Sequence, residues 1–146
     1  ASYVASGCVR SGEGEFASRL EIIFRSVGSI VGEYQPHVVA VESVFMHRNA
    51  GSALKLGHAR SAAICATFDA GLEVVEYSPR DIKQAVVGTG AGTKAQIQHM
   101  VASLLGVDGE LSADAADALA AALCHGHQRH LKGRLASADS SVVNLR

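Results

Sequence analysis

The chain has 146 residues, 48% hydrophobic and 18% charged, with a formal net charge of −1. One domain with a real core fits that length, and intrinsic disorder is excluded by that composition. No apolar run approaches the 18 or so residues that cross a bilayer, and no signal-peptide pattern is visible. Three distant cysteines, Cys8, Cys65 and Cys124, read as thiols in a reducing compartment and not as a disulfide framework.

In chain order, residues 2–10 set Tyr3, Ala5, Gly7 and Val9 against Ser2, Val4, Ser6 and Cys8, an alternation that predicts a strand. A turn at SGEGE leads into residues 15–34. There Phe16, Leu20, Ile23, Phe24, Val27, Ile30 and Val31 recur at helical spacing. Gln35-Pro36 stops that helix. The run Val38-Val39-Ala40-Val41 predicts a buried strand ending on Glu42, followed by a loop over 44–51. Ser52 is placed to cap a helix over 53–69, with Leu54, Ala59, Ala62, Ala63 and Ala66 as a face for a partner helix. Leu72–Tyr77 predicts a third strand. Ser78-Pro79 suits the start of the next helix, which runs to about residue 86. After the glycine-rich turn 87–92, Thr93 caps a helix to about 105, with Ile97, Met100, Val101, Leu104 and Leu105 as its core stripe. The last helix spans Ala113 to about His127, and residues from 135 on read as a frayed tail. The order β-α-β-α-β-α-α-α predicts an α/β domain with a small sheet. Three strands are few for that class, which suggests a further strand before Ala1.

The charges are unevenly placed. Residues 1–47 carry five acids and three arginines. Residues 43–68 carry Arg48, Lys55 and Arg60 without an acid, and residues 82–107 carry Lys83 and Lys94 without an acid. Local basic patches on a near-neutral chain suit a polyanion, although solvated surface cations account for the same pattern. Asp114 and Asp117 sit at i and i+3, on one face of the last helix, opposite apolar positions 116, 119, 120 and 123. Acids early in a helix also simply favour the helix dipole. Taken with Glu42 at a strand end, however, they make an all-oxygen donor set that suits Mg²⁺ or Mn²⁺ better than Zn²⁺. That set, with cations nearby, points to metal-assisted phosphodiester hydrolysis.

Other constellations leave alternatives open. Lys83 and Lys94 flank VVGTGAG, which is either a phosphate-holding loop or a plain turn, and which is not a Walker A loop. Phe45 is either a wedge between bases or a loop aromatic against the core. Cys124, His125, His127 and His130 match no zinc spacing and read as an exposed helix end.

Three blocks, VESVFMHRNAGSALKLGHARSA, IKQAVVGTGAGTKAQIQHMV and SADAADALAAALCHGH, resemble the RuvC family of bacterial Holliday junction resolvases over residues 2–128. The resemblance implies an RNase H-like mixed sheet flanked by helices, a homodimer, and Mg²⁺-dependent cleavage of four-way junction DNA, with Mn²⁺ as a second option. It implies that Glu42, Asp114 and Asp117 are three of four metal-binding carboxylates, with Lys83 and Lys94 serving both binding and cleavage. It places Phe45 on the bases, and the helix near Ser52 in the dimer interface. Arg48, Lys55 and Arg60 complete the expected DNA-binding set. The fourth acid belongs to a central strand expected before Ala1. The domain is therefore expected over 1–130, incomplete at its N-terminus, with 131–146 as a tail. A cytoplasmic, nucleoid-associated bacterial protein is implied, with RuvA and RuvB as partners. A second reading is a non-catalytic or inactive junction-binding fragment that keeps Phe45, Lys83 and Lys94.

Overall fold

The structure is a computed structural model that describes residues 1–43 and 50–142, with side chains as far as Arg134. The elements are α1 (Phe16–Tyr34), β1 (Val38–Glu42), α2 (Ala50–Cys65), a 3-10 turn (Phe68–Ala70), β2 (Glu73–Tyr77), α3 (Pro79–Val87), α4 (Lys94–Leu105) and α5 (Ala113–Val142). They divide into two compact units. One holds Gly7–Ser78, the other Ala1–Ser6 with Pro79–Arg146.

The first unit is built on a βαβ crossover. β1 and β2 pair in parallel, Val38 opposite Glu73 through Glu42 opposite Tyr77, and α2 makes the connection. Parallel strands need such a crossover, because a tight turn cannot reverse the chain direction twice. α1 packs on α2, and Phe16 meets His58 edge to face with ring centroids 5.0 Å apart. The α1 helix ends where Gln35 turns left-handed at φ 45°, its N–H donating to the Val31 carbonyl at 2.9 Å. Leu20, Ile23, Val27 and Val31 form the half-buried stripe of α1, whereas Phe16, Phe24 and Ile30, expected in that stripe, are exposed. A helix packed along one side can shelter only one such row, so the wide apolar face is left partly open.

The second unit is a three-helix packing in which α3, α4 and α5 all touch one another. Pro79 is the first residue of α3, where its fixed φ and missing N–H carry no penalty. Two glycines explain the turn that follows. Gly88 adopts φ +76° just past α3, and a Cβ on Gly92 would lie 2.6 Å from Val87 Cγ2. Thr93 then caps α4 in a full capping box. Its hydroxyl accepts from the Gln96 N–H, and the Gln96 side chain accepts from the Thr93 N–H at 2.8 Å. The core joins Ile82 and Val86 of α3, Ile97 and Val101 of α4, and Ala116, Ala120, Leu123 and Cys124 of α5. Each buried branched side chain contributes about 2 kcal/mol. The small alanines let α5 approach closely.

Several expectations are corrected. Residues 2–10 form no strand. Alternation supplies propensity only, and no described segment offers this stretch a hydrogen-bonding ladder. Ala1–Ala5 instead line an apolar groove with Leu105, Leu119 and Leu123. The described sheet therefore has two strands. α2 starts at Ala50, which places Ser52 inside the helix instead of at its cap, and Leu54 is exposed. Leu104 is exposed on α4. α5 runs to Val142, far past His127. Weak amphipathicity does not end a helix, and LKGRLASAD contains good helix formers and no proline.

Candidate functional site

Glu42 is the last residue of β1, and its side chain is exposed. The peptide unit that follows it is held at both ends. The Ser43 N–H donates to the Tyr77 carbonyl at 2.8 Å, and the Glu42 carbonyl accepts from Arg60 Nε at 3.3 Å. Arg60 lies on α2, and its Nη2 approaches Glu76 Oε2 at 2.9 Å. That Nη2 is sealed from solvent and makes no well-aligned hydrogen bond, so the contact with Glu76 is an ion pair in character. Lys55, also on α2, is exposed. Phe45 and Arg48 lie outside the described residues.

In the other unit, Asp114 and Asp117 are both exposed at the start of α5, flanked by the buried Ala115 and Ala116. Apolar anchors on one side of the turn thus point both carboxylates outward. Two further residues fix this helix start, and neither was singled out from the sequence. Ser112 Oγ accepts from the Ala115 N–H at 3.3 Å, as an N-cap does. Gln98 of α4 donates its side-chain N–H to the Leu111 carbonyl. The serine preceding ADAAD was a readable cap signal, whereas the Gln98 contact is long-range and had none.

Lys83 is half-buried on α3, and Lys94 is exposed as the first residue of α4. A cation at a helix N-terminus opposes the dipole, so Lys94 is locally unfavourable by about 0.3–1 kcal/mol. The turn between the lysines owes two glycines to chain geometry, namely a left-handed helix end and close packing on Val87, which accounts for Gly88 and Gly92 without a bound phosphate. The histidine run is not a helix end. His127 sits in mid-helix, with Nδ1 3.0 Å from the Ala85 carbonyl oxygen. Cys124 is fully buried, and its thiol pKa is pushed above the usual 9.0, first by burial and then by the nearby Asp81 charge.

The structure therefore brings Asp114 and Asp117 together on one helix, and Glu42 with Arg60 at one strand end. Among the described residues, no three His, Cys, Asp or Glu side chains form a group that could hold a metal ion. The donor chemistry still suits a hard cation, because Glu42, Asp114 and Asp117 are all carboxylates at exposed positions. No described helix is long and apolar enough to cross a membrane.

Comparison with known proteins gives concordant matches. The family model described as crossover junction endodeoxyribonuclease RuvC matches residues 1–125. The crossover junction endodeoxyribonuclease RuvC of Marinobacter nauticus is 54% identical over 140 residues, covering 96% of this chain and 80% of the relative. That of Ectopseudomonas mendocina is 54% identical over 146 residues, covering 99% and 84%. Among solved structures, Thermus thermophilus RuvC in complex with Holliday junction substrate aligns with a TM-score of 0.76 at 33% identity, covering 82% of this chain and 73% of that one. A second Thermus thermophilus RuvC structure aligns at 0.73, also 33% identical, covering 82% and 72%. A parallel βαβ unit with flanking helices, matched to these structures, defines an RNase H-like α/β protein. The chain belongs to the RuvC family.

Proposed function

We propose that this chain is a crossover junction endodeoxyribonuclease that resolves four-way DNA junctions in recombination and repair by hydrolysing phosphodiesters. The observation that carries this is the family match over residues 1–125, which contains every acid and lysine singled out above. Relatives aligned over 80% or more of their length carry the same enzyme description, and neither of these favours a non-catalytic fragment.

Glu42, Asp114 and Asp117 are the residues that hold the divalent cation, Mg²⁺ first and Mn²⁺ second. When bound, such an ion activates water and neutralises charge at the scissile phosphate. The chain itself supplies substrate positioning. Lys55, Lys83, Lys94 and Arg48 pair with backbone phosphates, and Phe45 stacks against bases opened at the crossover. Lys83 and Lys94 also support the cleavage step, as cations close to the reacting phosphate. Arg60 is left out of the phosphate-binding set, since its guanidinium already serves Glu42 and Glu76. The working form is a homodimer, which sets two sites on opposed strands. RuvA and RuvB supply the junction, in the bacterial cytoplasm near the nucleoid. Residues 1–130 carry the nuclease machinery, and 131–146 extend it without adding a site residue.

The test is cleavage of a synthetic four-way junction with Mg²⁺, alongside binding by gel shift. Asp117→Asn is expected to lose cleavage and keep binding, because phosphate contacts carry most of the affinity. Cleavage at the wild-type rate would remove Asp117 from the site.

A further inference from the structure

We infer that Arg60 is a positioning residue for Glu42, a pin on its backbone from inside the protein, and not a contact to DNA. The inference rests on the reading of Glu42 as a site residue.

The argument begins with one peptide unit. The Glu42 carbonyl and the Ser43 N–H belong to the same plane. The N–H is held by the Tyr77 carbonyl at 2.8 Å, and the carbonyl by Arg60 Nε at 3.3 Å. With both ends of the plane fixed, the backbone of Glu42 loses its freedom to rotate at ψ. Glu42 is the last residue of the strand, and Arg60 fixes its carbonyl there. The rotation matters there more than elsewhere in β1, because the chain leaves the ladder at Ser43.

Strand alternation adds a direction. Val41 pairs with Glu76 and Glu42 with Tyr77. Paired residues of parallel strands share a face, and successive residues alternate. Glu76 therefore projects on the face opposite Glu42. Arg60 binds the Glu76 carboxylate at 2.9 Å, so it grips the strand ends from the far side of the sheet. The Glu42 side chain projects from the other face.

Arginine suits this task and lysine does not. The planar guanidinium presents Nε and Nη2 in a fixed fork, so one side chain reaches a main-chain carbonyl and a carboxylate together. A single ammonium cannot hold both at that spacing. The Arg60 side chain is 23% exposed, with Nη2 sealed from solvent. A cation engaged in this way is a poor candidate for a phosphate contact, which needs its donors turned outward.

The test uses Arg60→Met, Arg60→Lys, Glu76→Gln and Glu42→Gln in the full chain, with junction cleavage at saturating enzyme, junction affinity across a salt series, the Mg²⁺ dependence of cleavage, and amide exchange at Ser43. Arg60→Met is expected to slow cleavage tenfold or more and to raise the Mg²⁺ concentration for half-maximal rate several-fold. Junction affinity and its salt slope should stay unchanged, and the Ser43 amide should exchange faster. Arg60→Lys should recover only part of the rate. Glu76→Gln, which leaves Arg60 in place, should give a smaller loss of the same kind, and it serves as the variant of record if Arg60→Met does not fold. The inference is overturned if Arg60→Met weakens binding and lowers the salt slope by about 1 while the saturated rate is kept, the signature of a phosphate contact. It is also overturned if rate and Ser43 exchange both stay at wild type. If Glu42→Gln itself cleaves normally, the fault lies with Glu42 as a site residue, whatever Arg60 does.

Discussion

The His127 ring on α5 reaches across to α3 and lies 3.0 Å from the Ala85 main-chain carbonyl oxygen. A carbonyl can only accept, so Nδ1 carries the proton and donates. This bond ties the helix that bears Lys83 to the helix that bears Asp114 and Asp117, two residues along from Lys83. His127→Ala should cost about 1 kcal/mol, the net worth of one such bond. Urea unfolding followed by circular dichroism measures it, and a loss under about 0.3 kcal/mol would show that solvent replaces the bond freely.

Gly92→Ala should be destabilising for a different reason. The new methyl would begin 2.6 Å from Val87 Cγ2, and a valine has little rotamer freedom with which to yield. Overpacking of this kind costs about 1–3 kcal/mol. In a Val87→Ala background the same substitution should cost clearly less. Equal costs in both backgrounds would mean that the turn, not the valine, resists the methyl.

Lys94→Ala is expected to move stability and binding in opposite directions. Removing a cation from the first position of α4 relieves the dipole and introduces the best helix former, a gain of a few tenths to about 1 kcal/mol. Junction affinity should fall, with the salt slope reduced by about 1 for the lost phosphate contact. A variant that is more stable and binds as before would leave Lys94 without a part in DNA binding.

Cys124 predicts a pH dependence. Its thiol pKa is raised in the folded state, by burial and by Asp81. The folded chain therefore keeps its proton longer than the unfolded chain. The stability that this contributes is complete below about pH 9 and is lost as pH rises past that value toward the folded pKa. Cys124→Ala should lose less stability than wild type as pH rises past about 9. Thiol labelling at about pH 8, below the usual thiol value of 9.0, gives the companion check. Cys8 and Cys65, both exposed, should react in the native protein, and Cys124 only in urea.

The helices of the second unit were legible because their signals are local. Pro79 at the start of α3, Thr93 at the cap of α4 and the apolar face of α5 opposite Asp114 and Asp117 are all set by residues within four positions of one another. Glu42 at a strand end was legible for the same reason. What the sequence hid was long-range. Arg60 read as a DNA-binding cation, and nothing in its neighbourhood announces a partner eighteen positions back. Gln98 gave no sign that it would hold Leu111. The alternation of residues 2–10 looked like a strand because alternation records side-chain faces, and pairing is a property of two segments. The exposure of Phe24 and Ile30 shows the converse error, in which periodicity named more core positions than the packed face of α1 can cover.

The capping box of Thr93 and Gln96 has a kinetic consequence. A helix start whose orphan N–H groups are already matched by its own side chains forms with a smaller nucleation penalty. α4 is flanked in sequence by the two helices it packs against, so most of what it needs arrives from near neighbours. Each rung of the β1–β2 ladder, by contrast, must wait for the whole of α2 to be gathered in between. Chains whose contacts are local fold faster than those whose contacts are distant. The helices bearing the lysines and the aspartates should therefore be in place first, and Glu42 should reach its final orientation last, when its strand docks and Arg60 closes over the end of it.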